Sequence, residues 1–198
     1  MELEKIEAER SLRRFIEAAW HVVEPATPFV PNWHIDAICD HLEAVTRGDI
    51  RNLLINIPPR TMKSLIVAVF WPVWTWTTAP HLSWLYSSYA EQLSIRDALK
   101  SRRAIQSPWY QARWGGVFAL TSDQNVKSRY ENDRTGYRIA TSVGGSATGK
   151  GGDMVVVDDP HNVPEALSEV TRTKALTWWD VRWSYFVGQF GSGVKVYS

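Results

Sequence analysis

The sequence predicts an α/β fold organised around a central, mainly parallel sheet. Three observations carry this. Segments with apolar residues at helical spacing alternate along the chain with short apolar runs, the order that lays helices over a parallel sheet. Met154-Val155-Val156-Val157 is a continuous apolar run rich in β-branched residues, which suits a strand covered on both faces. Residues 53–70 read as strand, tight loop and helix in direct succession.

Each element follows from its residues. Leu3, Ile6, Leu12, Phe15, Ile16, Ala19, Trp20 and Val23 fall at helical spacing, so the N-terminus reads as one amphipathic helix. Pro25, Pro28 and Pro31 fix φ repeatedly and enforce an extended linker. Residues 1–30 are therefore set apart from a domain spanning 31–198. Ile35, Ile38, Cys39, Leu42 and Val45 mark a second helix, stopped near Gly48. A short strand is expected over residues 53–57. The helix that starts near Lys63 is apolar on every side, which predicts burial between a sheet and other helices. Residues 82–87 read as a strand. Residues 89–107 read as a helix whose Arg96, Lys100, Arg102 and Arg103 form an exposed basic face. A short strand is expected at 137–140, then a loop containing Gly144, Gly145, Gly149, Gly151 and Gly152, then the 154–157 strand. Val194, Val196 and Tyr197 mark a last strand.

Composition narrows the function classes. At 198 residues the chain has one domain's length and room for a sizeable core. The net charge of +1 gives no global drive toward nucleic acid, so any such binding needs a local patch. Cys39 is the single cysteine, which excludes an internal disulfide and a cysteine-rich zinc site. The acidic N-terminus lacks a signal-peptide core, so secretion is not expected. The apolar stretch 65–78 is interrupted by Pro72 and is too short to span a bilayer. Eleven tryptophans are more than one such domain easily buries, so some are expected to face a partner or a missing domain.

Two segments carry chemistry. A phosphate-binding loop needs backbone N–H groups around an anion at a helix N-terminus, a Lys for the terminal phosphates and a hydroxyl for Mg²⁺. Lys63 and Ser64 supply the last two, directly after an apolar strand. Ile57 and Met62 stand where the pattern expects glycine, and Pro58 and Pro59 lack N–H donors. An ordinary strand-to-helix turn with a solvated Lys is the alternative. The second segment is Asp158-Asp159, two acids at the end of an apolar strand. Nucleotide hydrolases hold Mg²⁺ with one such carboxylate and align water with another. Asp158 would serve the metal and Asp159 the water. A strand ending in an Asp-Asp-Pro turn is the alternative.

Taken in order, the motifs resemble the N-terminal ATPase portion of the large terminase subunit, the DNA-packaging motor of tailed bacteriophages. The resemblance runs through Trp33-His34, Asn56-Ile57-Pro58-Pro59-Arg60 with Lys63-Ser64, and Ser87-Ser88-Tyr89. It continues in Gly144-Gly145 with Thr148-Gly149 and Gly151, Val157-Asp158-Asp159-Pro160-His161, Glu165-Ala166 and residues 172–178. In that family Pro-Pro-Arg before Lys-Ser is itself usual, while Met62 still departs from the commoner glycine.

The resemblance implies a P-loop NTPase, RecA/ASCE-like three-layer fold preceded by N-terminal helices. It implies Mg²⁺-dependent ATP hydrolysis, with ATP and Mg²⁺ bound by Pro59, Arg60, Thr61, Met62, Lys63 and Ser64. Lys63 would contact the β- and γ-phosphates, and Arg60 would sense the γ-phosphate. Ser64 and Asp158 would hold the metal. Asp159 would act on water where related motors often carry Glu. Trp33 and His34 would lie near the adenine; a hydrophobic staple at a helix start is the alternative. Implied partners are double-stranded DNA, a homo-oligomeric ring on the portal of a procapsid and the small terminase subunit, in the host bacterial cytoplasm and with no membrane. Thr148-Gly149-Lys150 precedes a strand, not a helix, and is assigned to a DNA path or subunit contact instead of ATP. The family's coupling motif and nuclease domain would follow Ser198, so the ATPase domain is expected to be truncated. A truncated prophage remnant, acting as a non-catalytic nucleotide-binding or assembly module, is the alternative reading.

Overall fold

The computed structural model describes residues 2–122, 126–145, 152–162, 167–190 and 194–197, with side chains described as far as residue 180. Thr148, Gly149, Lys150, Gly151, Glu165 and Ala166 lie outside the described residues.

The expected single N-terminal helix is two, α1 (Glu2–Arg10) and α2 (Leu12–Val23). Ser11 between them is extended, and its hydroxyl accepts the Arg14 N–H at 3.4 Å. The Glu43 carboxylate accepts the Leu12 N–H at 2.7 Å. Together they satisfy donors that a fresh helix start leaves open, and so favour the break. Helix α3 (Trp33–Arg47) ends at Gly48, whose φ of 84° is the left-handed cap that glycine adopts without strain.

Strand β1 (Asn52–Leu54) is shorter than expected, because residues 55–57 leave the ladder. After the loop, a π-helical segment (Leu65–Phe70) runs into α4 (Trp71–Thr75). Pro72 has no N–H, and its ring would meet the carbonyl four residues back. The wider π turn just before it makes room. Every residue from 66 to 77 is buried, as an all-round apolar helix requires. There follow β2 (Trp84–Ser88), α5 (Glu91–Gln106), α6 (Pro108–Trp114), β3 (Arg129–Glu131), β4 (Tyr137–Ser142), β5 (Met154–Val157), α7 (Glu169–Phe190) and β6 (Val194–Tyr197). Helices α6 and α7 and strand β3 were not anticipated. The start of α6 has a readable signal, since Ser107 accepts the Tyr110 N–H ahead of Pro108 at the first turn.

The strand order is β1-β6-β5-β2-β4-β3. Every neighbouring pair is parallel except β3 with β4. Leu54 and Val157 both pair with Tyr197, and Ser87 pairs with Val157, so the parallel strands end along one edge. In open parallel sheets this carboxyl edge is where ligands sit.

Alternation along the strands makes three layers. Trp84, Tyr86, Met154 and Val156 join α2, α3 and the buried 66–76 helix on one face. Leu85, Val155 and Val157 pack with Trp179 of α7 on the other. Helices α1 and α2 share the first core, through Ala8, Leu12, Phe15 and Ile16.

The tryptophans divide between surface and core, and Trp33 is 78% exposed. Trp20, Trp71, Trp74, Trp76, Trp84, Trp114 and Trp179 are buried. Most of these indole N–H groups find an acceptor, such as Thr27 O for Trp20 and Ala8 O for Trp74, so burial costs little. The basic face of α5 is also partly spent internally, with Lys100 paired to Glu24 at 2.5 Å and Arg96 to Asp97 at 2.8 Å. Among the described residues, no helix is long and apolar enough to cross a membrane.

Candidate functional site

The carboxyl edge brings the 55–64 loop beside Asp158 and Asp159, with β6 alone between their strands. Lys63 Nζ lies 2.6 Å from Asp159 Oδ1 and 3.4 Å from Asp158 Oδ1. The Lys63 and Asp158 side chains are 15% and 12% exposed, whereas that of Asp159 is 55% exposed. Asp158 is thus the sheltered acid and Asp159 the one open to solvent.

Both acids are anchored to the end of β2. The Asp158 N–H donates to Ser87 O at 2.9 Å, extending the β2–β5 ladder by one residue. The Asp159 carbonyl accepts the Tyr89 N–H at 3.0 Å and the Ser88 hydroxyl at 3.4 Å. Asp159 has a φ of 47°, a left-handed conformation that Asp tolerates better than most residues.

The loop has an unusual backbone. Arg60 and Met62 take φ of 66° and 64°, while Thr61 between them stays on the ordinary side. Alternating hand of this kind turns successive N–H groups toward one concavity, a nest suited to anions. The Thr61 hydroxyl donates to Pro58 O at 2.8 Å and tightens the turn. Each left-handed non-glycine residue costs about 1–2 kcal/mol. The Met62 side chain packs against the main core, which offsets part of that cost. Lys63, Ser64 and Asp159 line a cleft of about 360 Å³ with this loop.

Beside it lies a larger, mainly apolar cleft of about 540 Å³, lined by Trp33, His34, Ile38, Leu53, Ile57 and Pro58 among others. Trp33 is the first residue of α3 and is 78% exposed. A hydrophobic staple uses the residue before the N-cap, which is Asn32 here, so Trp33 is not one. His34 Nε2 is buried without a partner among the described residues.

A third cavity, about 270 Å³, lies behind the acids and is lined by Ser64, Ser87, Arg96, Arg138, Asp158 and Asp159 among others. Sequence reasoning quoted Ser87 without a role and passed over Arg138. The available signal was a charge at a buried position inside the strand Tyr137–Ser142. Tyr86 also lines this cavity, and burial keeps its hydroxyl protonated far above the usual tyrosine range.

Among the described residues no cluster of His, Cys, Asp and Glu could hold a metal by itself. Mg²⁺ does not require one, since it is commonly held by one or two carboxylates, waters and substrate phosphates. Ser64 and Asp158, lining one cavity, are a donor set that fits this ion.

No protein-family model matches the chain, and no curated protein matches it. Among solved structures, the chain is similar to the large terminase ATPase domain of Thermus phage P74-26, at a TM-score of 0.51 and 14% identity. The match covers 93% of this chain and 67% of that one. The chain therefore has a mixed α/β fold with a central, mainly parallel sheet, similar to the fold of that domain.

Proposed function

We propose that the chain is the ATP-hydrolysing motor domain of a phage large terminase, which drives double-stranded DNA into procapsids. The observation that carries this is Lys63 held between Asp158 and Asp159 at the carboxyl edge of a parallel sheet, behind a loop of alternating backbone hand. In this reading the adenine enters the apolar cleft at Trp33 and His34, and the phosphates enter the nest at residues 59–64. Lys63 leaves Asp159 and moves onto the β- and γ-phosphates. Ser64 and Asp158 would hold Mg²⁺, which when bound would offset the negative charge of the phosphates. Asp159 takes a proton from water as the water oxygen bonds to the γ-phosphorus. The bond from that phosphorus to the bridging oxygen breaks, and its electron pair leaves with ADP. Arg60 reads the loss of the γ-phosphate. DNA, neighbouring subunits of a ring on the portal and the small terminase subunit are the partners, in the host bacterial cytoplasm.

Titration with Mg·ATP together with a phosphate-release assay tests the reading. Lys63→Ala should weaken Mg·ATP binding at least about tenfold, the worth of one charge-assisted hydrogen bond, and abolish hydrolysis. Unchanged binding and turnover in that variant would refute the assignment. One observation favours the remnant reading: the proposed base, Asp159, is itself tied up by Lys63 at 2.6 Å. Tight Mg·ATP binding with no turnover in the wild-type chain supports that second reading.

A further inference from the structure

The cavity behind Asp158 is lined by residues whose donors find no partner among the described residues. Arg138, in β4, is 1% exposed. Its Nη1 donates to the Asp97 carbonyl at 3.1 Å and to Ser101 Oγ, both on α5. The guanidinium carbon lies 4.2 Å from the centre of the Tyr86 ring, and the Tyr86 hydroxyl is fixed on Val67 O at 2.9 Å. Among the described residues, Nε and Nη2 of Arg138 have no partner, nor does Ser87 Oγ. Arg138, Tyr86 and Ser87 all line the cavity that also contains Ser64, Asp158 and Asp159.

The two idle nitrogens form one edge of the guanidinium, the fork that matches two oxygens of a single oxyanion. Arginine offers donors only and stays charged, so a buried idle edge calls for an acceptor. Asp97 does not fill that role, because Arg96 engages both of its oxygens at 2.8 and 3.1 Å. Charge does not oppose an incoming anion. Arg96, Arg138 and Lys63 balance Asp97, Asp158 and Asp159 around the cavity. The volume of about 270 Å³ holds a tetrahedral oxyanion with several waters, each needing about 30 Å³.

We infer that this cavity is a product site for inorganic phosphate, with Arg138 as its fork and Ser87 as a further donor. The inference rests on the ATP-hydrolysis reading. Ser64 and Asp159 line both this cavity and the loop cleft, so phosphate cut from ATP passes along one shared wall to Arg138.

The test titrates inorganic phosphate into the whole chain carrying Lys63→Ala and Asp159→Asn together. That pair removes the loop's ammonium while preserving the local charge balance. Calorimetry should detect phosphate binding, and adding Arg138→Met should weaken it at least about tenfold. Arg138→Lys keeps the charge without the fork and should weaken binding as well. Absence of phosphate binding in the double variant, or equal binding after Arg138→Met, overturns the product site. Should Arg138→Met fail to fold, unchanged affinity in Arg138→Lys overturns it equally. The ATP-hydrolysis reading is judged separately, by Mg·ATP titration of the wild type and Lys63→Ala. An unaltered ATP affinity there sinks that reading whatever phosphate does at Arg138.

Discussion

Replacing Asp159 by Asn should separate nucleotide binding from turnover in opposite directions. In the ligand-free protein Lys63 Nζ sits 2.6 Å from Asp159, so phosphates must displace that carboxylate to gain the ammonium. The Asp159 side chain is 55% exposed, which places the pair near the solvent-screened limit of about 0.5–1 kcal/mol. Removing the charge therefore returns about that much to nucleotide binding, roughly a two- to fivefold gain in Mg·ATP affinity. Asp158 remains 3.4 Å from Lys63 and is well sheltered, so the lysine keeps its place. If Asp159 is the base proposed above, its loss should lower hydrolysis at least about a hundredfold. Calorimetric titration with Mg·ATP gives the first quantity and single-turnover phosphate release the second. The affinity gain should shrink in high salt, which already screens an exposed pair. Weaker ATP binding in Asp159→Asn, or hydrolysis at the wild-type rate, would refute the reasoning.

Two further outcomes test the fold. A Cβ on Gly136 would lie 1.9 Å from Pro80 O, in a turn where Asn132 Nδ2 already donates to that oxygen at 2.8 Å. Gly136→Ala should therefore cost about 2 kcal/mol or more and lower Tm by roughly 5 °C, readable by calorimetry; a Tm within a degree of wild type contradicts this clash. Burial, with Glu43 nearby, pushes the Cys39 thiol up to about 12, and burial likewise raises Tyr86 and Tyr110. The folded values exceed the unfolded ones, so this stability is complete below about pH 8.5–9 and is lost as pH rises toward 12, at about 1.4 kcal/mol per pH unit for each fully shifted group. Urea melts at pH 8 and pH 10 should show the decline, and Cys39 should resist alkylation until the chain unfolds. Rapid native alkylation at pH 8 would contradict its burial.

Local patterning made much of the fold legible before any tertiary information. Helical spacing gives Ile35, Ile38, Leu42 and Val45 their shared buried face in α3. The β-branched run at 154–157 forms a strand with those same limits, because only a position shielded on both faces suits four consecutive apolar residues. Lys63, Ser64, Asp158 and Asp159 stood out as candidates because phosphate and metal chemistry uses those residue types next to strand ends. The break at Ser11 was not legible, since Glu43, which accepts the Leu12 N–H, acts from another helix. Which tryptophans are buried was not legible, because composition counts indoles without showing the acceptors that receive their N–H groups.

The sequence alone determined most of the segments that are helix or strand, though not α6, α7, β3 or the break at Ser11, and which of them carry charged groups at their ends. Those properties reside in windows of a few residues, where periodicity and propensity act. Only the tertiary structure decided that Val194–Tyr197 enters the sheet between β1 and β5, so that Lys63 meets two acids more than ninety residues away. It also decided that Met62 turns its side chain to the core and that Arg138 is buried with an idle edge beside Asp158. Strand order, cavity shape and the burial of a charge arise from ladders and close packing between distant segments, and no local window contains them.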